Sequence, residues 1–482
     1  MLIVKSNDES YAYDVNSLVK SFYPAEDMKI VYEDTQEPVR IELDIRKDEY
    51  SYTITLFQEN GENIQIKKER LTVDSPSECK NAFKQDLYQV LHQATGKVLP
   101  WGILTGIRPT KIAMGLLEEG LSEQEIQKHM KEVYYANDEK AALSADIAKR
   151  EHALLSQLHY KNGYSLYIGI PFCPTTCLYC SFTSYPIAIH RKRVRDYLEA
   201  LGKEIEAVAA DHKSEYLDTI YIGGGTPTTL EAEELEILLS KIENTLDLSH
   251  LKEYTVEAGR PDSITLDKLK VLKRHGITRI SVNPQTMKEE TLKLIGRRHT
   301  VEQTREAFHL AREAGFDNIN MDLILGLPAE DERDVAETIR QVKELNPDSL
   351  TIHSLAIKRA SRLNQWIEEN GIETLKNTEQ TMEIAVQGAK DMGMEPYYLY
   401  RQKNMSGNFE NVGYAKPGSY GIYNILIMEE VQTIVAIGAG SVTKRVFGNG
   451  RIERCDNVKD VELYIERIDE MIERKRKLFS ME

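Results

Sequence analysis

From Ser165 to Ala356 the chain repeats one pattern: a short, almost unbroken apolar run, a stretch of helical periodicity, then the next run. The runs are SLYIGIP, TIYIGGG, YTVEA, RISVNPQ, NINMDLILGLP and SLTIHSLA, and the helical stretches include Val194 to Ala210, Glu231 to Leu246 and Val301 to Ala314. Strands alternating with helices build parallel βαβ units. A complete eight-fold barrel takes about 250 residues, or about 31 per unit. The 192 residues from Ser165 to Ala356 therefore hold about six units. The expected fold is α/β, an incomplete (β/α)6 TIM-like barrel with an open side.

The flanks differ in pattern. Residues 1–150 read as an N-terminal α+β domain. Val39 to Ile45 and Tyr50 to Phe57 alternate as strands, and Asn60-Gly61 signals a hairpin before Ile64 to Ile66. Helices follow at Ser77 to Gln93, behind Asp74, Ser75 and Pro76 as cap and first turn, and at Ser122 to Tyr135. The loop WGILTGIRPTK between them carries cations for a partner or substrate, or is a tight connector. The barrel is placed at 160–365 and a C-terminal α+β substrate-side cover at 366–482. The cover is read as a helix from Glu379 to Met392, a strand YYLYRQ, a Gly- and Asn-rich loop to Gly421, strands NILIM and QTIVAIGAG, and a helix from Val458 to Leu478.

The net charge of -16 argues against a general nucleic-acid or anionic-membrane binder, which needs a basic footprint. The basic runs His190 to Arg195 and Glu473 to Lys477 read as solvated helix faces. No apolar stretch approaches the ~20 residues of a membrane span, and MLIVKSNDES lacks a signal-peptide core. The expectation is a cytoplasmic protein.

Three of the five cysteines, Cys173, Cys177 and Cys180, fall in CPTTCLYC directly after the first barrel strand. Thiols this close in a reducing compartment point to a metal. Three thiolates suit a 4Fe-4S cluster with one iron left open; zinc completed by a histidine remains the alternative. Cys79 and Cys455 read as ordinary core or surface residues. The loop after a first barrel strand is also where this architecture places its active site.

YIGIPFCPTTCLYC, followed by YIGGGTPT, resembles the radical S-adenosylmethionine (SAM) signature of the oxygen-independent coproporphyrinogen III oxidase family, and the whole chain is similar to the HemZ-type members. The resemblance implies a cluster on the three cysteines whose open iron is chelated by the cosubstrate. It assigns the methionyl amino group to Gly224, Gly225 and Thr226. It carries further cosubstrate roles to Tyr167, Glu257 in YTVEAGRPD, Gln285 in RISVNPQT, Arg297 in LIGRRH, Asp322 in NINMDLILGLP, Ala356 and Val442. Gln285, Arg297, Asp322 and Ala356 belong to a second SAM in several members, so one SAM or two are expected; NPQ stands here for the usual GVQ.

The implied reaction is oxidative decarboxylation of coproporphyrinogen III propionates to vinyls, started by hydrogen abstraction by a 5'-deoxyadenosyl radical. The implied partners are the porphyrinogen and a low-potential donor such as flavodoxin or ferredoxin, and the chain is expected to be a monomer. Arg298, Lys358, Arg359, Arg401 and Lys403 are candidate propionate partners, since guanidinium groups match carboxylates bidentately. The alternatives are a haem or porphyrin chaperone that retains the cluster and another radical enzyme acting on a tetrapyrrole. Where the related haem carriers have HNxxYW, this chain has Glu410-Asn411-Val412-Gly413-Tyr414-Ala415; where the established oxidases have a fourth cysteine, it has Phe182.

Overall fold

The computed structural model describes residues 1–481 except 25, 47–50, 59–60, 70–75, 107, 160–161, 359–360, 402–408 and 449. Tyr50, Asn60, Asp74, Ser75, Arg359 and Lys403 therefore lie outside the described residues. The chain divides into two units, Met1–Lys149 and Arg150–Glu482.

In the first unit a five-stranded sheet runs in the order Met28–Val31, Leu2–Ser6, Val39–Arg46, Ser51–Phe57, Asn63–Lys68. Leu2–Ser6 is parallel to both neighbours and the last three strands form an antiparallel meander. Alternation in Val39–Arg46 buries Ile41, Leu43 and Ile45, and these pack with Phe83 and Leu87 of the helix Pro76–Thr95. The helix Glu123–Tyr134 starts at a capping box in which Ser122 accepts from Glu125 N and the Glu125 carboxylate accepts from Ser122 N. The sequence reading missed the helices Thr110–Glu118 and Asp138–Leu155.

The second unit is built on one 11-stranded sheet. At its centre are the six expected parallel strands, Gly163–Ile170, Tyr216–Gly224, Glu253–Gly259, Arg279–Val282, Ile319–Leu325 and Ser349–Ser354, each paired with the next. Their near-continuous burial is what parallel strands with helices in the crossovers require. Three of the crossover helices begin at side-chain caps, Thr265, Thr300 and Asp331 each accepting from a backbone N–H of the first turn.

Residues 366–482 do not form a separate sheet. Asn411–Ala415 pairs antiparallel with the sixth strand, and Glu395–Tyr400 lies beyond it. On the opposite flank Thr433–Ile437 runs parallel to the first strand, followed by the antiparallel Val442–Val446 and Ile452–Asp456. The sheet stays open, with Glu395–Tyr400 and Ile452–Asp456 at its edges.

NILIM, expected as a strand, lies in the helix Ile422–Glu429. A short, largely apolar run fits a buried strand and a buried helix equally, so periodicity does not separate them. The buried Glu253 carboxylate accepts from the Ile422 and Tyr423 N–H groups and so satisfies donors at the helix start. The last helix is broken at Arg467 into Val461–Glu466 and Ile468–Ser480.

Glu204 on the helix Val194–Asp211 anchors the second flank. It accepts from Gly438 N at 2.8 Å, Asn457 Nδ2 at 2.9 Å, Tyr464 OH at 2.5 Å and Lys475 Nζ at 2.5 Å. Removing the carboxylate leaves the buried Lys475 ammonium without its counter-charge. Glu204→Ala should therefore destabilise this unit by about 3–5 kcal/mol, read from urea unfolding. Asn457→Ala, which removes an uncharged amide that donates to Glu204 and to Gly438 O and accepts from Lys475 Nζ, should cost about 1–3 kcal/mol.

Candidate active site

Five of the six central strands carry a half-exposed residue inside a buried run: Tyr167, Tyr221, Glu257, Asp322 and His353. The five lie on one face of the sheet in two groups, Tyr167, Tyr221 and Glu257 on one side of the fully buried fourth strand and Asp322 and His353 on the other. Tyr167 pairs in register with Tyr221, and their rings are parallel within 15° at 6.2 Å. Tyr423 stacks on Tyr221 at 4.5 Å. Tyr221 OH donates to Glu257 Oε1 at 2.5 Å. Asp322 takes a hydrogen bond from Asn320 Nδ2 at 2.7 Å and faces His353 Nε2 at 3.8 Å, and His353 Nδ1 lies 3.3 Å from Tyr400 OH.

The pKa values of the two carboxyls are shifted in opposite directions. Burial pushes Glu257 up to about 7, against the pull of the Tyr221 hydrogen bond. Burial also acts on Asp322, but His353, Asn320 and Thr351 together hold it below the ordinary carboxylate range.

The cysteine loop leaves the C-terminal end of the first strand. Cys173 and Cys177 are buried and Cys180 is half-buried. Backbone contacts fix the loop, with Leu178 N donating to Ile295 O and Tyr185 N to Pro171 O. Side chains add to this: Arg260 donates to Thr175, and Arg362 to Thr176 O at 2.6 Å. Each sulfur has a polar neighbour, Thr226 Oγ1 at 3.4 Å from Cys173, Arg260 Nη1 at 3.9 Å from Cys177 and Ser184 Oγ at 3.8 Å from Cys180.

The glycine run packs directly on this loop. Gly225 N donates to Ile170 O and Thr226 N to Phe172 O. A Cβ at Gly225 would stand 2.6 Å from Phe172 O and 3.0 Å from Cys173 Sγ, so only glycine allows the approach.

The fourth-strand end is strained. Gln285 has φ +69°, uncommon for a residue with a side chain. It is held there because its N donates to Asp322 O and its O accepts from Ile324 N, both at 2.9 Å. Arg297 donates to Asn283 O at 2.5 Å. Gln285 Oε1, Asn283 Oδ1 and Arg297 Nε are buried without a hydrogen-bond partner, as a polar ligand's site would leave them.

The other expected residues fall less centrally. Ala356 lies two residues past the sixth strand. Val442 opens a flanking strand next to the turn whose Gly440 packs on Thr183 of the cysteine loop. Arg298 is exposed, the Lys358 ammonium sits over the Phe182 ring at 5.2 Å, and Arg401 is buried beside Glu410, burial lowering its pKa to about 10. None of these three belongs to the interior groups.

Sequence reasoning missed Tyr221, Arg260, His353 and Tyr423. Tyr221 shares a strand face with Gly223, and His353 is the basic residue within SLTIHSLA. Arg260 stands three residues after Glu257 in the quoted motif. Tyr423 was hidden because its neighbourhood reads as a strand.

Residues 167–342 match the radical SAM superfamily. The chain is 44% identical over 405 residues, 83% of its length and 81% of the relative's, to the oxygen-independent coproporphyrinogen-III oxidase-like protein HemZ of Bacillus subtilis. It belongs to this HemZ family of radical SAM proteins. It is also 31% identical to the heme chaperone HemW of Escherichia coli, over 61% of this chain and 74% of that one. The solved coproporphyrinogen III oxidase HemN of Escherichia coli superposes with a TM-score of 0.52 at 22% identity, over 66% of this chain and 72% of that one, a likeness of fold.

Membership of the superfamily implies a 4Fe-4S cluster and SAM, and the HemZ-family loop fits them in its donor chemistry. Burial pushes the Cys173 thiol up to about 11, an effect to which the nearby Cys180 and Cys177 add. A bound cluster would supply the positive charge that keeps the Cys173 sulfur a thiolate. Among the described residues no three His, Cys, Asp or Glu side chains gather around a single-ion site, and no helix is long and apolar enough to cross a membrane.

Glu257 yields a pH test. Its pKa is raised on folding, so its contribution to stability is fully present below the unfolded carboxyl's pKa and is lost as pH rises through about 7. The urea-unfolding free energy of wild type minus that of Glu257→Gln should fall between pH 5 and pH 8. Parallel profiles would contradict the placement of this carboxyl.

Proposed function

We propose that the chain is a radical SAM oxidoreductase that decarboxylates coproporphyrinogen III propionates to vinyls without oxygen, in porphyrin and haem biosynthesis. The observation that carries this reading is the cysteine loop at the rim of an open barrel whose inner face holds polar side chains from five of its six strands. Bound together, cluster and cosubstrate supply reductive cleavage of the sulfonium bond and so a hydrogen-abstracting radical.

The chain's own residues bind and orient. Cys173, Cys177 and Cys180 hold the cluster. The backbone of Gly224 and Gly225, with Thr226, receives the methionyl amino group. Glu257, fixed by Tyr221, and Asp322, fixed by Asn320 and His353, offer carboxylate oxygens to ribose hydroxyls. The orphaned polar atoms of Asn283, Gln285 and Arg297 support a second SAM. The buried strand residues around these side chains exclude water. Each propionate side chain loses a hydrogen atom, one electron to an acceptor and carbon dioxide, which leaves the vinyl. A low-potential flavodoxin or ferredoxin supplies the reducing electron.

A chaperone role is the second reading, favoured by the similarity to HemW. The segment Glu410 to Ala415, lacking the carriers' histidine and tryptophan, speaks for catalysis instead. Anaerobically reconstituted protein given dithionite, SAM and coproporphyrinogen III should form 5'-deoxyadenosine and vinyl porphyrinogens together. SAM cleavage with the porphyrinogen unchanged would overturn the oxidase reading. Stoichiometric haem binding without turnover would favour the chaperone.

A further inference from the structure

The sulfur of Cys177 has a neighbour to which the proposed reaction gives no part. Arg260, one residue past the third strand, is 3% exposed. Its Nε and Nη2 make a fork on the Asp262 carboxylate at 2.9 and 2.7 Å. The fork fixes the guanidinium plane and turns Nη1 to the cysteine loop, where it donates to Thr175 Oγ1 at 2.8 Å and lies 3.9 Å from Cys177 Sγ.

A loop staple would need only the Thr175 contact, and a neutral donor would serve. A buried cation aimed at a ligand sulfur does more. Hydrogen bonds to the sulfurs and local net charge set the potential of an iron–sulfur cluster, because the reduced cluster carries one more negative charge. Inside the protein such a charge is weakly screened, so the balance between Arg260 and Asp262 is felt at the cluster.

We propose that Arg260 is a positioning residue that raises the reduction potential of the cluster through Cys177, with Asp262 as the counter-charge that orients it and moderates its effect. The two members of the pair then act with opposite sign. Removing the arginine's charge lowers the potential; removing the aspartate's raises it. The inference rests on the cluster assignment and is independent of the substrate.

The test uses the full chain, reconstituted anaerobically, with iron and sulfide analysis to establish loading and EPR-monitored redox titration without SAM. Arg260→Gln should shift the midpoint to more negative values, Arg260→Lys should fall between it and wild type, and Asp262→Asn should shift it to more positive values. Loaded variants with the wild-type midpoint would overturn the proposal, as would shifts of one sign in Arg260→Gln and Asp262→Asn. If Arg260→Gln takes up no cluster, Asp262→Asn decides alone, a positive shift supporting the proposal and any other result overturning it. Failure of all three variants to load would reduce Arg260 to a structural staple and overturn it. Failure of the wild type to take up iron and sulfide would fault the cluster assignment instead.

Discussion

A parallel sheet whose strands are buried along most of their length has few places for polar side chains: the strand ends, and positions on its inner face where the sheet does not close. The second unit follows this constraint closely. Tyr167, Tyr221, Glu257, Asp322 and His353 are half-exposed while their strand neighbours are buried. The cysteine loop, Gly225 and Gln285 occupy strand ends. Polar groups placed so sparingly in an apolar setting must be hydrogen-bonded to one another or to a ligand. The pairs Tyr221–Glu257 and Asn320–Asp322 are the first case, and Gln285 Oε1 and Arg297 Nε are buried with no hydrogen-bond partner in the protein.

Close approach is the other requirement of the site. The glycine run, the left-handed Gln285 and the turn at Gly438 and Gly440 bring backbone next to backbone around the cysteine loop. At Gly438, φ is +94° and a Cβ would stand 2.3 Å from Gly169 O. The Glu204 network holds that turn from behind, accepting from Gly438 N. The flanking strands contributed by the C-terminal segment are therefore part of the scaffold that shapes the cysteine loop.

What could be read from the sequence was what is local. Six strands with their crossovers, the cysteine spacing and the glycine run all lie in contiguous stretches with a fixed period. QTIVAIGAG and YYLYRQ read as strands, but not their partners, which are distant: Thr433–Ile437 joins a strand beginning at Gly163, and Glu395–Tyr400 pairs with Asn411–Ala415, which sits in a stretch rich in turn residues and escaped along with Val442–Val446 and Ile452–Asp456. The helix Ile422–Glu429, and with it Tyr423, was misread for want of polar punctuation. His353 and Arg260 were in plain view, but their meaning lies in Asp322 and Cys177, which only the fold brings beside them.

The central claim is that three cysteines of this chain hold one four-iron cluster with an open iron. It is tested most directly by EPR of the reduced, reconstituted protein, with and without SAM, alongside iron analysis of wild type and Cys177→Ala. The account predicts about four irons per chain, a change in the EPR signal when SAM binds, and loss of the cluster in the variant. A full cluster in Cys177→Ala, or a wild-type signal indifferent to saturating SAM, would contradict it.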